Sequence, residues 1–335
     1  MKKLSIFLLL SAFLSAQKTE LINLSRPPKD NKNFIKTFTV IDQRSDKNIG
    51  TVMDHNKEVT VAFEHDAVKD IQDWMGQPGT VQGRNDLVLL LEDLKISDEQ
   101  KEKSTVGKLQ LRASTFIKKA DGYHFLYRKD TVTTVSSRVN PFVAQNLARK
   151  FTMILTDFLK ESYGKEAWET GVSEQDLPQY ANVLTDKLDI LKADQLKDGV
   201  YKDYRSFFNH RPEPGFVLET NNKGVVTKAV NGEDKTAIRR FYAFVKDGVA
   251  YKIIPVGYAE ILKSDHGLFI EVKKAELFPE SSNGAMIGAM AGGLIGGVIG
   301  AAIDAGAQSR RNRIPEQEVY LDPLTGQYIL PEGFK

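Results

Sequence analysis

Apolar residues in the first half of the chain form strand-like runs. Three runs rich in β-branched and aromatic side chains occupy 34–42, 58–63 and 86–96, and a longer one spans 108–135. The longer run contains Asp121-Gly122, a pair typical of tight hairpin turns. The pattern therefore predicts a sheet that ends in a long hairpin.

Two other stretches follow the helical period of three and four residues. The first begins at a capping residue, Asp66, and ends before Gly76. The second begins at Asn140-Pro141, and its apolar positions are Val143, Leu147, Phe151, Ile154, Leu155, Phe158 and Leu159. Because such a stripe needs a sheet to cover, we predict one α+β domain over 30–163.

The second half of the chain is punctuated by turn signals. Residues 164–182 have little periodicity and predict a linker, and the short runs after it predict a β-rich domain over 183–335. If 268–277 and 318–330 pair in one sheet, the glycine-rich stretch between them is an insertion between neighbouring strands. The predicted fold class is α+β: an N-terminal α/β sandwich domain and a C-terminal β-rich domain with an inserted Gly-rich helical segment, 284–307.

That segment begins GAMIGAMAGGLIGGVIGAAI and repeats every four residues, with two small residues before two mostly large apolar ones. Its repeating glycines are Gly284, Gly288, Gly292, Gly293, Gly296, Gly297 and Gly300. On a helix, which turns about 100° per residue, the small residues form a groove and the large ones form the opposite ridge. A strand would mix both kinds on each face. The repeat therefore predicts a helix.

This helix is unfavourable in water, because each interior glycine costs roughly 0.8 to 1 kcal/mol relative to alanine. In hydrocarbon or in a dry interface the helix satisfies its own peptide groups, and glycine lets two backbones approach closely. We therefore predict association with membrane lipid or with a second copy. Two alternatives are a pair of short helices packed on the protein's own sheet and a flexible glycine loop.

Three arginines follow the repeat: Arg310, Arg311 and Arg313. Basic residues at this place suit anionic headgroups, or a cytoplasmic side after an exported amino terminus. The segment resembles the glycine-zipper stretches of bacterial envelope proteins, including glycine-zipper surface-antigen lipoproteins, although it lacks their lipidated cysteine. The order of elements in the first half also resembles small periplasmic α/β domains of envelope lipoproteins and Tol-type assemblies. These resemblances imply helix packing in the envelope and an accessory role with an envelope protein partner.

The amino-terminal residues indicate export. Two lysines precede a short apolar run and Ser15-Ala16, so residues 1–16 predict a cleaved signal peptide and a location in the periplasm or cell envelope membrane. The chain has no cysteine, which excludes disulfides and thiolate chemistry. Its net charge of +2 provides no broad field for nucleic acid, and we predict no such partner.

The sequence contains no recognisable catalytic motif, and we predict no cofactor and no metal site. The five histidines are scattered; His65 beside two acids is the best metal candidate, although a helix-start surface residue explains it better. Carboxylate neighbours such as Glu92-Asp93 are expected on a solvated face. The aromatic cluster around Tyr201 and Phe208 predicts a domain core, with a peptide or glycan groove as the alternative.

These observations favour a non-enzymatic exported envelope protein that associates with a membrane or oligomerises through its glycine zipper. The first alternative is a soluble periplasmic or secreted binding module with the zipper packed internally. The second is an enzyme, such as a hydrolase, acting through carboxylates that the sequence does not mark.

Overall fold

The computed structural model describes residues 18–76, 83–279, 294–295 and 315–334. Helices and several sheets are mixed along the chain, which confirms the predicted α+β class. Whether the chain divides at the predicted domain boundaries stays a prediction.

The first half is built around one large sheet. Its elements are β1 (Lys18–Leu21), β2 (Ile35–Asp42), β3 (Thr51–Asp54), β4 (Lys57–Ala62), α1 (Ala67–Met75), β5 (Asn85–Lys101), β6 (Ser104–Lys119), β7 (Gly122–Ser136), α2 (Val143–Ser162) and β8 (Gly171–Val172). The large sheet has the order β2-β5-β6-β7-β8; β2 runs parallel to β5 and the other pairs are antiparallel. The small sheet β1-β4-β3 and both helices cover one of its faces.

The predicted strands and the long hairpin are confirmed, and β5 continues past residue 96 because it pairs with β6 as far as Lys101. Strand β3 was not predicted. It forms a hairpin with β4 whose turn residues, His55 and Asn56, both have positive φ. Asparagine tolerates this conformation, so Asn56 was the available signal.

Helix α2 begins two residues later than Pro141, and its first turn is capped from another part of the chain. The Asn140 side chain accepts a hydrogen bond from the Phe142 backbone N–H, outside the helix (3.2 Å). Inside the first turn, the Ala144 backbone N–H donates to Asp54 Oδ2 at 3.2 Å. Gly107 of β6 lets this turn approach the sheet, because a Cβ there would lie 2.5 Å from a Val143 methyl.

The second half contains three further sheets. Its elements are α3 (Tyr180–Thr185), α4 (Asp189–Lys192), β9 (Gly199–Tyr201), α5 (Tyr204–Phe208), β10 (Val217–Thr220), β11 (Val226–Asn231), β12 (Asp234–Ala237), β13 (Ala243–Lys246), β14 (Val249–Ile254), β15 (Gly257–Glu260), β16 (Leu262–Ser264), β17 (Gly267–Val272), α6 (Lys274–Leu277), β18 (Leu294–Ile295), β19 (Gln317–Leu321) and β20 (Tyr328–Ile329). The sheet orders are β10-β11-β12, β15-β14-β13-β9 and β16-β17-β19-β20-β18.

Strands β17 and β19 are neighbours in one sheet, with Phe269 opposite Tyr320 and Val272 opposite Gln317. This confirms that the glycine-rich stretch is an insertion between neighbouring strands. Most of the stretch lies outside the described residues. At Leu294–Ile295 the backbone is extended and runs parallel to β20, which differs from the helix predicted there. The extended backbone pairs with hydrogen-bonding groups that β20 would otherwise leave open at a sheet edge.

The segment predicted as a linker is packed against the large sheet. Strand β8 pairs with β7, and Trp168, Val172, Leu177 and Tyr180 are buried within 164–182. These side chains join a core that contains Val88, Leu90, Phe116 and Phe125 of the large sheet and Leu321 and Leu324 from the end of the chain. The large sheet is therefore buried on both faces, and its second face is covered by the second half.

Candidate functional site

The predicted zipper glycines and the three arginines, Arg310, Arg311 and Arg313, lie outside the described residues. Helix packing by this segment therefore stays a prediction. Its described flanks nevertheless constrain it, because β17 and β19 hydrogen-bond in one sheet and so lie on the same side of any bilayer. A single crossing between them, which the topology role of the arginines requires, is incompatible with this pairing. The headgroup role stays a prediction.

Two searches of the described residues bear on membrane and metal sites. Within 18–76, 83–279 and 315–334, no helix combines the length and apolarity needed to cross a bilayer. The same ranges contain no group of three or more His, Asp or Glu side chains placed to hold a metal ion.

The histidines with described contacts are engaged locally. His65 Nδ1 lies 2.9 Å from Asp70 Oδ1 at the start of α1, in the surface position expected for it. His124 is buried between Asp121 and the Trp168 carbonyl, at 2.9 and 2.8 Å. The aromatic cluster of the second half is a core, as predicted, because Tyr201, Phe207 and Phe208 are fully buried; Tyr204 is partly buried beside them.

A polar cluster lies between the large sheet and the second half. Glu92 Oε1 accepts hydrogen bonds from Ser114 Oγ at 2.5 Å and from the Tyr180 hydroxyl at 3.2 Å. Burial raises the pKa of the Glu92 carboxyl above its ordinary value. The solvated face predicted for Glu92-Asp93 is thus wrong for Glu92. A bulge between Leu91 and Asp93 shifts the β5–β6 register and gives Glu92 its separate orientation.

The second contact of this cluster is a buried ion pair. Arg128 Nη2 of β7 donates to Asp322 Oδ2 at 3.0 Å, and the two side chains are 14% and 2% exposed. Asp322 also accepts from the Leu324 backbone N–H (3.1 Å) and from Thr325 Oγ1 (2.5 Å). Asp322 lies in the turn between β19 and β20, and its bond to Arg128 ties this turn to the large sheet.

Lys252 of β14 is buried without a carboxylate partner among the described residues. Its Nζ donates to the carbonyls of Tyr242 (3.2 Å) and Ile253 (2.8 Å). It also lies 4.0 Å from the ring centre of Tyr242 and 5.6 Å from that of Tyr328. Burial lowers the pKa of the Lys252 ammonium from 10.5 to about 7. This lysine was not identified from the sequence, where it stands in an ordinary strand pattern.

Lys252 should make stability depend on pH. Between about pH 7 and 10 the unfolded chain binds a proton on this lysine and the folded protein does not. From this group, the free energy of unfolding therefore rises by about 1.4 kcal/mol per pH unit over that range, and below about pH 7 this lysine adds no further pH dependence. The free energy of unfolding of Lys252→Met can be measured with urea at pH 7.5 and at pH 9. Its increase per pH unit should be smaller than that of the unmodified protein by about that amount. An exposed control, Lys228→Met, should keep the pH dependence of the unmodified protein. The same pH dependence of the unfolding free energy in both variants would contradict the prediction.

A separate feature is a groove of about 1080 Å³ between residues 23–32 and the outer face of α2. The helix contributes positions spaced by three and four residues on the side opposite the core: Arg149, Thr152, Met153, Thr156, Asp157 and Lys160. Thr152 Oγ1 donates to the Asn23 carbonyl at 3.1 Å and holds the two walls together at one end. Neither wall of the groove was predicted from the sequence. Residues 23–32 have no periodicity, and the pattern on this side of α2 is that of an ordinary solvent-exposed face.

The groove is basic and partly apolar. Its lining includes Arg26, Lys29, Lys32, Arg149 and Lys160, all exposed, against the acids Asp30 and Asp157. The Met153 side chain is 64% exposed. At the far end, the Tyr163 hydroxyl is buried and makes no hydrogen bond within the described part of the chain.

The two places differ in what they can do chemically. Between the halves, Glu92 bonds to Tyr180 and Arg128 bonds to Asp322, and these contacts fix how the second half sits on the large sheet. The groove presents cationic side chains and an apolar contact to solvent, which is the chemistry of a binding surface. Comparisons assign neither place to a known family, since no family model, no curated protein and no solved structure matches this chain.

Proposed function

We propose that this protein is a non-enzymatic, exported envelope protein that acts as an accessory or scaffold. In this proposal residues 284–307 associate with membrane lipid or with the same segment of a second copy. The observation that carries the proposal is the four-residue repeat of small and bulky side chains in that segment. Export is inferred from the signal-like residues 1–16.

The fold supports an added role for the inserted segment. Strands β17 and β19 pair directly on either side of it, so this strand pairing does not depend on the residues between them. The partly buried Glu92 accepts a hydrogen bond from Tyr180 and the buried Asp322 accepts one from Arg128, and both bonds join the two halves, which supports a structural role for these acids. An insertion of this kind can serve binding while the remaining chain maintains the fold.

One observation favours the alternative of a soluble binding module with the segment packed internally. The backbone of Leu294–Ile295 pairs with β20 of the same chain, with Leu294 opposite Tyr328. If the rest of the segment also packs on this sheet, its apolar ridge is covered without lipid or a second copy.

Three glycine substitutions test the proposal. In the full chain, Gly288→Leu, Gly292→Leu and Gly296→Leu together raise apolarity but block close approach of backbones. We expect this variant to lose its oligomers in chemical crosslinking and gel filtration of membrane extracts. Deletion of 284–307 should abolish both the oligomers and sedimentation with membranes.

A matched control changes the bulky ridge and keeps the glycines: Ile287→Leu, Ile295→Leu and Ile299→Leu. This variant should behave as the unmodified protein. If the unmodified protein is soluble and monomeric without detergent, the proposal of membrane association or oligomers is overturned and the internally packed alternative holds. Oligomers that survive the three glycine substitutions unchanged would overturn the zipper interpretation alone.

A further inference from the structure

The groove beside α2 concentrates positive charge that the chain as a whole does not have. Five basic side chains line it, whereas the 335-residue chain carries a net charge of only +2. All five are exposed, so their charges face solvent and not the core. A concave surface with an excess of one sign of charge attracts ligands of the opposite sign.

The two acids in the lining lower its formal charge from +5 to +3 and do not cancel it. Asp30 accepts hydrogen bonds from the backbone N–H groups of Lys32, Phe34 and Ile35, at 3.3, 2.9 and 2.8 Å, so its oxygens are held by the turn that they stabilise. Asp157 lies 3.9 Å from Lys160 in an exposed pair, which is a weak interaction. The cationic groups therefore remain available to a ligand.

The shape of the groove suits an extended chain. Along α2, Arg149 and Lys160 are 11 residues apart, which is about 17 Å at 1.5 Å per residue. An extended peptide covers this length with about five residues. Met153 lies between the two cations with most of its side chain exposed, and methionine is well suited to contact apolar side chains of varied shape.

We propose that this groove binds an acidic polypeptide segment in an extended conformation. Its carboxylates pair with the five basic side chains and one apolar side chain contacts Met153. A bilayer fits less well, because a flat layer of headgroups meets the rims of a concave groove and leaves its floor empty. This inference goes beyond the proposed function and is independent of the glycine-rich segment.

The test uses the mature full chain and a fluorescein-labelled ten-residue peptide of Asp and Glu with one central Leu. Fluorescence anisotropy should show binding that the Asn/Gln version of the peptide lacks. Arg149→Glu with Lys160→Glu should weaken binding by about tenfold or more, because two attractive charges become repulsive. The matched control, Lys223→Glu with Lys235→Glu, makes the same change in net charge at exposed positions in the turn after β10 and in β12, and should bind as the unmodified protein does.

A second pair of measurements tests the apolar contact. Met153→Ser should weaken binding of the Leu peptide by about threefold and leave binding of a Leu-to-Ser peptide unchanged. Equal loss in the groove variant and the control variant would show general charge attraction and overturn the proposal. Absence of peptide binding would also overturn it, as would groove-dependent binding to phosphatidylglycerol vesicles in place of the peptide. Far-ultraviolet circular dichroism confirms that each variant is folded.

Discussion

Replacing Phe125 by alanine is expected to destabilise the whole protein by about 3 to 5 kcal/mol. The Phe125 ring is fully buried between the two halves, with ring centres 5.7 Å from Phe116 and Trp168 and 5.6 Å from Tyr180. Its removal leaves a cavity that aromatic neighbours on both sides cannot close, so the two halves should lose stability together.

The fluorescence of the two tryptophans can report on the unfolding of each core separately. Trp74 belongs to the core under α1, and Trp168 belongs to the core shared by the halves. In urea, single-tryptophan versions should give coincident transitions, and Phe125→Ala should shift both to lower denaturant. Phe142→Ala, at a side chain that is 53% exposed, should change stability by less than about 1 kcal/mol. Separate transitions, only one of them sensitive to Phe125, would show that the halves are independent domains.

Replacing Arg128 by methionine is expected to cost about 3 to 5 kcal/mol, because it leaves Asp322 buried without its cation. Much of this loss should come from the remaining charge and not from the missing contact. Adding Asp322→Asn removes that charge while its amide oxygen can still accept from Leu324 N–H. The double variant should therefore be more stable than Arg128→Met alone.

Chemical denaturation of the two variants measures this recovery. As a control, Arg211→Met removes an exposed cation 3.8 Å from Glu169 and should cost less than about 1 kcal/mol. If Arg128→Met is as mild as this control, the ion pair contributes little to the junction between the halves. If the double variant is no better than the single one, the loss comes from packing of the arginine side chain.

Local periodicity predicted much of the fold. The stripe of Val143, Leu147 and Phe151 identified α2, and runs of β-branched residues identified β2, β4 and β5, because these patterns depend on neighbours along the chain. Two strand-like runs on either side of the glycines raised the pairing of β17 with β19 as one possibility, and the structure shows this pairing. We predicted the start of α2 two residues too early, because Asp54, which caps its first turn, lies in the distant β3–β4 hairpin.

Contacts between distant segments were harder to predict. The unbroken apolar run Leu87-Val88-Leu89-Leu90-Leu91 was a signal that β5 is covered on both faces. In the structure Leu87, Leu89 and Leu91 join one core, whereas Val88 and Leu90 join the other. No comparable signal marks the groove, since its two walls meet only through tertiary contact.

The place of Leu321, Asp322 and Leu324 has a consequence for how the molecule is made. Leu321 and Leu324 lie in one core with Val88 and Leu90, which come much earlier in the sequence. During synthesis this part of the core therefore stays incomplete until residues 321–324 have been made. A chaperone that shields this part of the large sheet is expected to be needed most before residues 321–324 are synthesised.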